Sequence, residues 1–281
     1  MISELSTDYP VKPLCETLGL PRSTYYHTPQ EKADDKELKG KIEKIIVKRP
    51  YYGYRRVTQQ LKRQRTEIGE TRVRRLLKEL NHSCQVGKMT VKTTDSQHRL
   101  PRYPNLIKKL EITHVNQVWV ADITYIRYGR KFVYLAVILD AFSRGIRGWK
   151  LSHRVDKHLT SAALKMALAS HPAPEIHHSD QGKQYAAKDD QKLLPGSTLI
   201  SMAAKGRPMD NGIVERFIRS FKEEHIDYTE YTDFADAVRQ IAFWLEIEYM
   251  TERIHSALDY LTPEEFEGQL VQASLSPLNI S

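Results

Sequence analysis

Residues 117–127, QVWVADITYIR, form the stretch of sequence that decides the fold. The run is rich in β-branched and aromatic residues and is apolar on both alternating faces, which predicts a buried strand. Asp122 interrupts it and shares a face with Val118, Val120, Thr124 and Ile126. Because an unpaired buried carboxylate is costly, a cation must face Asp122. Either an arginine in a salt bridge or a metal ion would satisfy this requirement.

The segments that follow predict an α/β domain. Residues 131–140 and 145–152 are strand-like and follow short connections, so an antiparallel meander is expected. The later pattern predicts a helix at 156–170, a brief strand at 175–180, a short apolar piece at 198–201, and helices near 211–225 and 233–250. Three antiparallel strands followed by alternating helices and strands is the order of an RNase H-like fold. We place this domain, with a C-terminal helical tail, at residues 113–281.

The N-terminal part is predicted to be helical and is strongly basic. Residues 1–110 carry 24 Lys and Arg against 12 Asp and Glu, a net of +12, whereas residues 111–281 carry 19 against 23, a net of −4. This asymmetry favours nucleic-acid binding over a merely soluble basic surface. Residues 11–26 have the outline of a helix-turn-helix, and further helices are predicted at 35–48, within 49–64 and at 70–80. The cations expected to contact DNA phosphates are Arg55, Arg56, Arg72, Arg74 and Arg75.

We therefore predict an all-α DNA-binding region at 1–83 and a basic linker at 84–112, where periodicity is lost. The chain has no run of about 18 apolar residues, as a membrane helix requires, and no secretory signal is recognised at its start. Cys15 and Cys84 form no metal-binding motif, so a zinc site is not expected. We expect a cytoplasmic chain with reduced thiols.

Two further acids accompany Asp122. Asp180 ends a short strand before a glycine-containing loop, where it either projects into a crevice or caps a following helix. Glu215 falls on one helical face with Asn211, Arg219 and Lys222, which also fits a surface pair between Glu215 and Arg219. Together the three acids suit two Mg²⁺ or Mn²⁺ ions, which prefer oxygen ligands and promote in-line phosphoryl displacement.

Several motifs resemble those of one family. The blocks WVADITY (119–125), HSDQGKQY (178–185) and GRPMDNGIVERFIRSFK (206–222) resemble the catalytic blocks of OrfB-type insertion-sequence transposases, which are relatives of retroviral integrases. YMTERIHSALDYLTPEEF (249–266) resembles that family's closing block, although Met250 and Asp259 replace a usual Asn and Gly. PYYGYRRV (50–57) resembles its helix-turn-helix segment.

The resemblance implies a DDE transposase whose catalytic and metal-binding residues are Asp122, Asp180 and Glu215 and whose Lys222 contacts DNA. Arg219, on the same helical face, is also expected to bind DNA. It implies double-stranded DNA partners, namely the element's terminal inverted repeats and target DNA. It also implies a homo-oligomer on DNA, association with the bacterial nucleoid, and fusion to or partnership with an upstream-frame protein. Two alternatives remain at this point: a regulatory fragment that only binds DNA, and an RNase H-type nuclease on RNA–DNA hybrids.

Overall fold

A five-stranded mixed sheet forms the centre of the larger domain. The computed structural model describes residues 10–26, 33–83, 103–129, 131–180, 192–204 and 208–275. The strand order is β3-β2-β1-β4-β5, with β1 antiparallel to β2 and parallel to β4. The strands are β1 (Val118–Tyr128), β2 (Lys131–Asp140), β3 (Ile146–Ser152), β4 (Ile176–Ser179) and β5 (Leu199–Met202). The predicted meander and α/β class are confirmed.

Helices cover both faces of this sheet. Helix α6 (Lys157–Ser170) packs on the face that contains Trp119, Ala121 and Ile138. The opposite face, with Val118 and Val120, is covered by three elements from the later part of the chain. They are α7 (Gly212–Glu224), α8 (Phe234–Phe243) and a π-helical segment (Trp244–Glu252). The alternation of β1 thus separates two apolar cores, one on each side of the sheet.

The π-helical segment differs from the single helix predicted over 233–250. The turn of a π-helix is wider than that of an α-helix, so Trp244 and Tyr249, five residues apart, both face the core, where they are almost fully buried. Regular α-helical spacing would turn one of them away from that core. The middle of the chain between β4 and β5, residues 181–191, lies outside the described residues, as does any helix predicted there.

The described residues of the N-terminal region form five helices. They are α1 (Val11–Thr17), α2 (Arg22–Tyr25), α3 (Ala33–Lys48), α4 (Tyr54–Arg63) and α5 (Glu70–Glu79). Gly19 adopts a φ of 62° in the turn between α1 and α2, a conformation that glycine tolerates readily. Helices α3 to α5 pack around Ile42, Leu61 and Leu76, all fully buried.

The C-terminal tail joins the two parts of the molecule. It contains a 3₁₀ turn (Ser256–Leu258) and α9 (Pro263–Leu275). Ile254 is fully buried within the apolar cluster of the N-terminal helices. Asp259, where the related family usually has glycine, adopts a left-handed φ of 51°, and the Met250 sulfur accepts a 3.2 Å hydrogen bond from the Ile146 amide. Both departures from the family pattern are therefore accommodated in a packed tail.

Part of the segment predicted to be a linker packs on the core. Leu106, Ile107 and Leu110 contact the sheet face covered by α7. The Leu106 amide also donates to the Ser201 hydroxyl at 2.9 Å. Residues 84–102 lie outside the described residues.

Candidate active site

Asp122 and Asp180 occupy neighbouring positions on adjacent parallel strands. Ala121 of β1 pairs with Ser179 of β4, and the two aspartates are the next residues along each strand. Neighbouring strands lie about 4.8 Å apart. Because β4 ends at Ser179, Asp180 lies at its carboxyl end, where side chains project into a crevice. The register of the sheet thus brings together two acids that are distant in sequence.

Helix α7 carries Glu215 toward the same region. Val214 and Phe217 of its first turns are buried against the sheet face that includes Val120. The side-chain amide of Asn211, just before the helix, donates a buried 3.3 Å hydrogen bond to the carbonyl of Ala121. This bond fixes the start of α7 beside Asp122, and Glu215 lies in its first turn with an exposed side chain.

The three acids influence one another electrostatically. Burial, together with the negative charges of Asp180 and Glu215, raises the pKa of Asp122 to about 8, although a hydrogen bond from the Ile123 amide and the charge of Lys222 act to lower it. Burial and Asp180 also raise the pKa of Glu215, whereas Arg219 lowers it. Negative charge is therefore disfavoured at this point of the molecule unless a cation joins the acids.

The carboxylates are not gathered into one tight ligand set. In the described part of the chain, no group of three or more His, Cys, Asp or Glu side chains could hold a metal ion. Like charges repel, so such groups do not approach closely without a cation between them. The sequence left open that Asp122 pairs with an arginine and that Glu215 pairs with Arg219. Neither ion pair is present: no described arginine or lysine pairs directly with Asp122, and Glu215 forms no direct pair with Arg219. Helix capping by Asp180 would involve residues outside the described ranges.

Lys222 lies beside the acids. Its ammonium is 4.2 Å from the centre of the Tyr125 ring, a cation–π contact. Burial lowers the pKa of Lys222, while Asp122 and Asp227 oppose that change. Sequence reasoning singled out Lys222 but missed Tyr125, although it follows Asp122 by three residues in the same strand.

Two buried histidines before Asp180 were also missed. Burial lowers the pKa of His177 and of His178 to about 4, so both rings are neutral at pH 7. Nδ1 of His178 lies 2.8 Å from the Ser201 hydroxyl of β5. The signal available in the sequence was the run of three polar residues, HHS, in a predicted strand that proves to be buried. The His178 ring therefore links β4 to β5 just before Asp180.

The basic residues predicted to contact DNA fall into two groups. Arg55 and Arg74 are exposed and flank the Tyr54 ring, at 5.3 and 5.7 Å from its centre. Arg72 and Arg75 instead each lie 2.7 Å from the Asp35 carboxylate. That carboxylate is only 4% exposed, and it needs those counter-ions.

Arg56 connects the N-terminal helices with the larger domain. Its guanidinium lies 3.1 Å from Glu224 at the end of α7. Glu224 also accepts two hydrogen bonds from Arg253, at 2.6 and 2.7 Å. Similar pairs join Arg49 to Glu252 at 2.8 Å and Arg63 to Glu265. These ion pairs hold the helical region against the larger domain and its tail.

Comparisons with known proteins identify the family. Residues 112–248 match the model of the integrase core domain, and residues 32–88 match an HTH-like domain. A 31 kDa protein of insertion element IS600 from Shigella sonnei is 37% identical over 92% of this chain and 99% of its own length. Transposase InsF for insertion sequence IS3A from Escherichia coli K12 is 30% identical over 95% of this chain and 97% of its own length. The chain belongs to the insertion-sequence transposases.

The integrase-core match in this transposase includes Asp122, Asp180 and Glu215, and the HTH-like match includes α3 to α5. Among solved structures, the catalytic core domain of BIV integrase is 16% identical, with a TM-score of 0.44, and the match covers 57% of this chain and 99% of that one. Within the described ranges, no helix of the transposase is long and apolar enough to cross a membrane.

Proposed function

We propose that this transposase cuts and joins DNA strands at the ends of its insertion sequence, using Asp122, Asp180 and Glu215. The observation that supports the proposal is the position of Asp122. It lies in a buried strand beside Asp180, close to the start of α7, and its pKa is raised to about 8 by burial and by the two other acids. A carboxyl group in that environment suits a site that binds cations.

The donor chemistry fits divalent ions. Carboxylate oxygens are the ligands preferred by Mg²⁺ and Mn²⁺, and Asp122, Asp180 and Glu215 would hold them, two ions in our proposal. When bound, such ions supply Lewis-acid stabilisation of the attacking and leaving oxygens in phosphoryl transfer. Because the pKa of Asp122 is about 8, a proton and a metal ion would compete for this carboxylate near neutral pH.

The chain's own cations would position the DNA. Lys222 and Arg219 lie on the helix that carries Glu215, so we assign them to the DNA end that reacts. Arg55 and Arg74 lie exposed on the N-terminal helices and suit contacts to duplex phosphates. Arg56, Arg72 and Arg75 already have carboxylate partners, and we expect their contribution to DNA affinity to be smaller.

The remaining parts of the proposal concern partners. The DNA would be the terminal inverted repeats and the target, bound by a homo-oligomer in the bacterial cytoplasm, at the nucleoid. The active form would be either this chain or its fusion to an upstream-frame protein.

Strand cleavage tests the proposal. Duplexes ending in the element's inverted repeat are incubated with Mg²⁺ and either the wild-type protein or one of three variants: Asp122→Asn, Asp180→Asn or Glu215→Gln. Each variant should bind the duplex but lose cleavage and joining by at least about 100-fold, a loss of the size seen when groups that stabilise transition-state charge are removed. Glu223→Gln is the matched control, because it removes the same charge two turns further along α7 and should remain active.

Metal binding gives a second readout. Titration with Mn²⁺ should show weaker binding in the three variants than in Glu223→Gln. Cleavage by Glu215→Gln at the wild-type rate would remove Glu215 from the active site. Wild-type protein that binds the duplex but never cuts it, alone or fused, would favour the regulatory-fragment alternative, and cleavage confined to RNA–DNA hybrids would favour the nuclease.

A further inference from the structure

A cavity of about 300 Å³ lies between the N-terminal helices and the catalytic domain. Its walls come from α4, from the turn after β2, from α7 and from the C-terminal tail. Four arginines from these four places line it: Arg56, Arg144, Arg216 and Arg253. A volume near the lower end of the range for ligand pockets, about 300–1,000 Å³, suits a small ligand or one group of a larger one.

The positive charge of this cavity is only partly neutralised. Glu224 pairs with Arg253 and Arg56. Neither Arg144 nor Arg216 forms an ion pair with any residue in the described ranges. His255, also in the wall, carries no charge. Burial and then Arg253, Arg56 and Arg144 lower its pKa to about 2, so the ring is neutral. Two of the four arginines in this wall, Arg144 and Arg216, therefore have no carboxylate partner among the described residues.

Arg144 is held in place at an energetic cost. Its φ of 63° is the left-handed conformation that non-glycine residues rarely adopt. The Tyr249 hydroxyl donates a 3.0 Å hydrogen bond to its carbonyl and so fixes the turn. One terminal nitrogen of its guanidinium, Nη1, is buried with no acceptor among the described residues, and burial lowers the pKa of the group. A buried guanidinium nitrogen without an acceptor calls for an anionic partner.

The remaining lining adds donors for an oxyanion. Gly212 is the first residue of the 13-residue helix α7, and the amino end of a helix presents free amides and a positive dipole. Ser220 and Ser256 contribute hydroxyls. Planar guanidinium groups bind phosphate oxygens through two parallel hydrogen bonds.

We propose that this cavity is a binding site for a phosphate group, with Arg144 and Arg216 as its principal ligands. The group is either a phosphodiester of DNA that crosses the junction between the helical region and the catalytic domain, or the phosphate of a small molecule. Only the first source rests on the proposed function, and the phosphate site itself does not.

Isothermal titration of the full chain with inorganic phosphate, at constant ionic strength, tests the site. The wild-type protein should bind phosphate with one-to-one stoichiometry. Arg216→Gln and Arg144→Asn should each weaken binding by about tenfold or more, because a charge-assisted hydrogen bond contributes about 1.5–3 kcal/mol. Asparagine is chosen at position 144 because it tolerates the left-handed φ. Arg239→Gln, which removes an exposed charge on α8, is the control and should not change the affinity.

Absence of phosphate binding by the wild-type protein would overturn the proposal. So would equal losses in Arg216→Gln and Arg239→Gln, since they would indicate only a general effect of net charge. If Arg144→Asn does not fold, the comparison of Arg216→Gln with Arg239→Gln decides the result alone. Asp122→Asn should bind phosphate normally, so failure of the proposed chemistry would be distinguishable from failure of this site.

Duplex DNA titrations distinguish the two sources. For a phosphodiester, Arg216→Gln should weaken DNA binding, reduce the salt-dependence slope by about one, and remove competition by free phosphate. For a small molecule, Arg216→Gln should lose phosphate binding and keep its DNA affinity. Weaker DNA binding with unchanged phosphate binding would contradict the site.

Discussion

Replacing Glu224 by glutamine should destabilise the protein by about 3–5 kcal/mol, the loss typical of breaking a buried ion pair. Glu224 is 9% exposed, and it accepts hydrogen bonds of 2.6 and 2.7 Å from Arg253 and of 3.1 Å from Arg56. Glutamine retains one acceptor oxygen, but it presents an amide donor to a guanidinium that is itself only 7% exposed. The variant therefore leaves Arg253 buried without its counter-ion.

The effect should depend on pH with a defined sign. Burial opposes ionisation of Glu224, but Arg253 and Arg56 outweigh it and hold the pKa below its ordinary value of 4.5. A lowered carboxyl pKa adds stability that is complete above the unfolded value and is lost as the pH falls through the folded value. The difference between wild type and variant should thus be full at pH 7 and shrink below about pH 4.5.

Urea unfolding, followed by tryptophan fluorescence and circular dichroism, measures this difference. The matched control is Glu223→Gln, which changes the same charge at the adjacent position, where no ion pair is formed among the described residues. The control should shift stability by no more than about 0.5 kcal/mol, as surface substitutions do. If both variants unfold at the same urea concentration, Glu224 does not hold the helical region to the catalytic domain, and the reasoning is refuted.

Three further predictions follow from single contacts. Gly148→Ala should lower the melting temperature, because an added Cβ would lie 2.3 Å from the Ala163 carbonyl and must push α6 from the sheet; an unchanged melting temperature would contradict this packing. His225→Phe should reduce the loss of stability in acid, because burial lowers the pKa of His225 to about 4. The stability that the neutral ring contributes is complete above pH 6.5 and is lost as the pH falls through 4. The free energy of unfolding of both proteins, measured from pH 7 to pH 4, checks this. Lys222→Ala should weaken binding of the element's end, partly rescued by more DNA, whereas Tyr125→Phe, which keeps the ring near Lys222, should bind normally in the same anisotropy assay.

The local patterns of the sequence were sufficient for the first three strands of the catalytic domain, but not for the π-helical segment after α8. The bounds of β1 to β3 agree with the predicted strands to within a residue or so, because strand alternation and short turns are encoded by neighbouring residues. Asp122 was also recognisable from the sequence, since a carboxylate in an apolar strand violates the local pattern. Its nearness to Asp180 required the parallel register of β1 and β4, which only the folded sheet supplies.

The roles of the basic residues could not be predicted in the same way. Helical periodicity places Arg72 and Arg75 on a solvated face, but it does not show that Asp35, buried at the start of α3, lies opposite them. Likewise Arg56 belongs by sequence to a basic DNA-binding helix, whereas its partner Glu224 is 168 residues away along the chain.

The sequence by itself thus determined the strands of the meander, the chain's division of charge and the three acids proposed for catalysis. Tertiary structure decided which charges are neutralised, how the tail joins the two parts, and where an arginine-lined cavity forms. The physical reason is the distance along the chain over which each effect acts. Backbone preference and side-chain periodicity are set within a few residues, but the free energy of a buried charge depends on the groups that folding brings to it from distant parts of the chain.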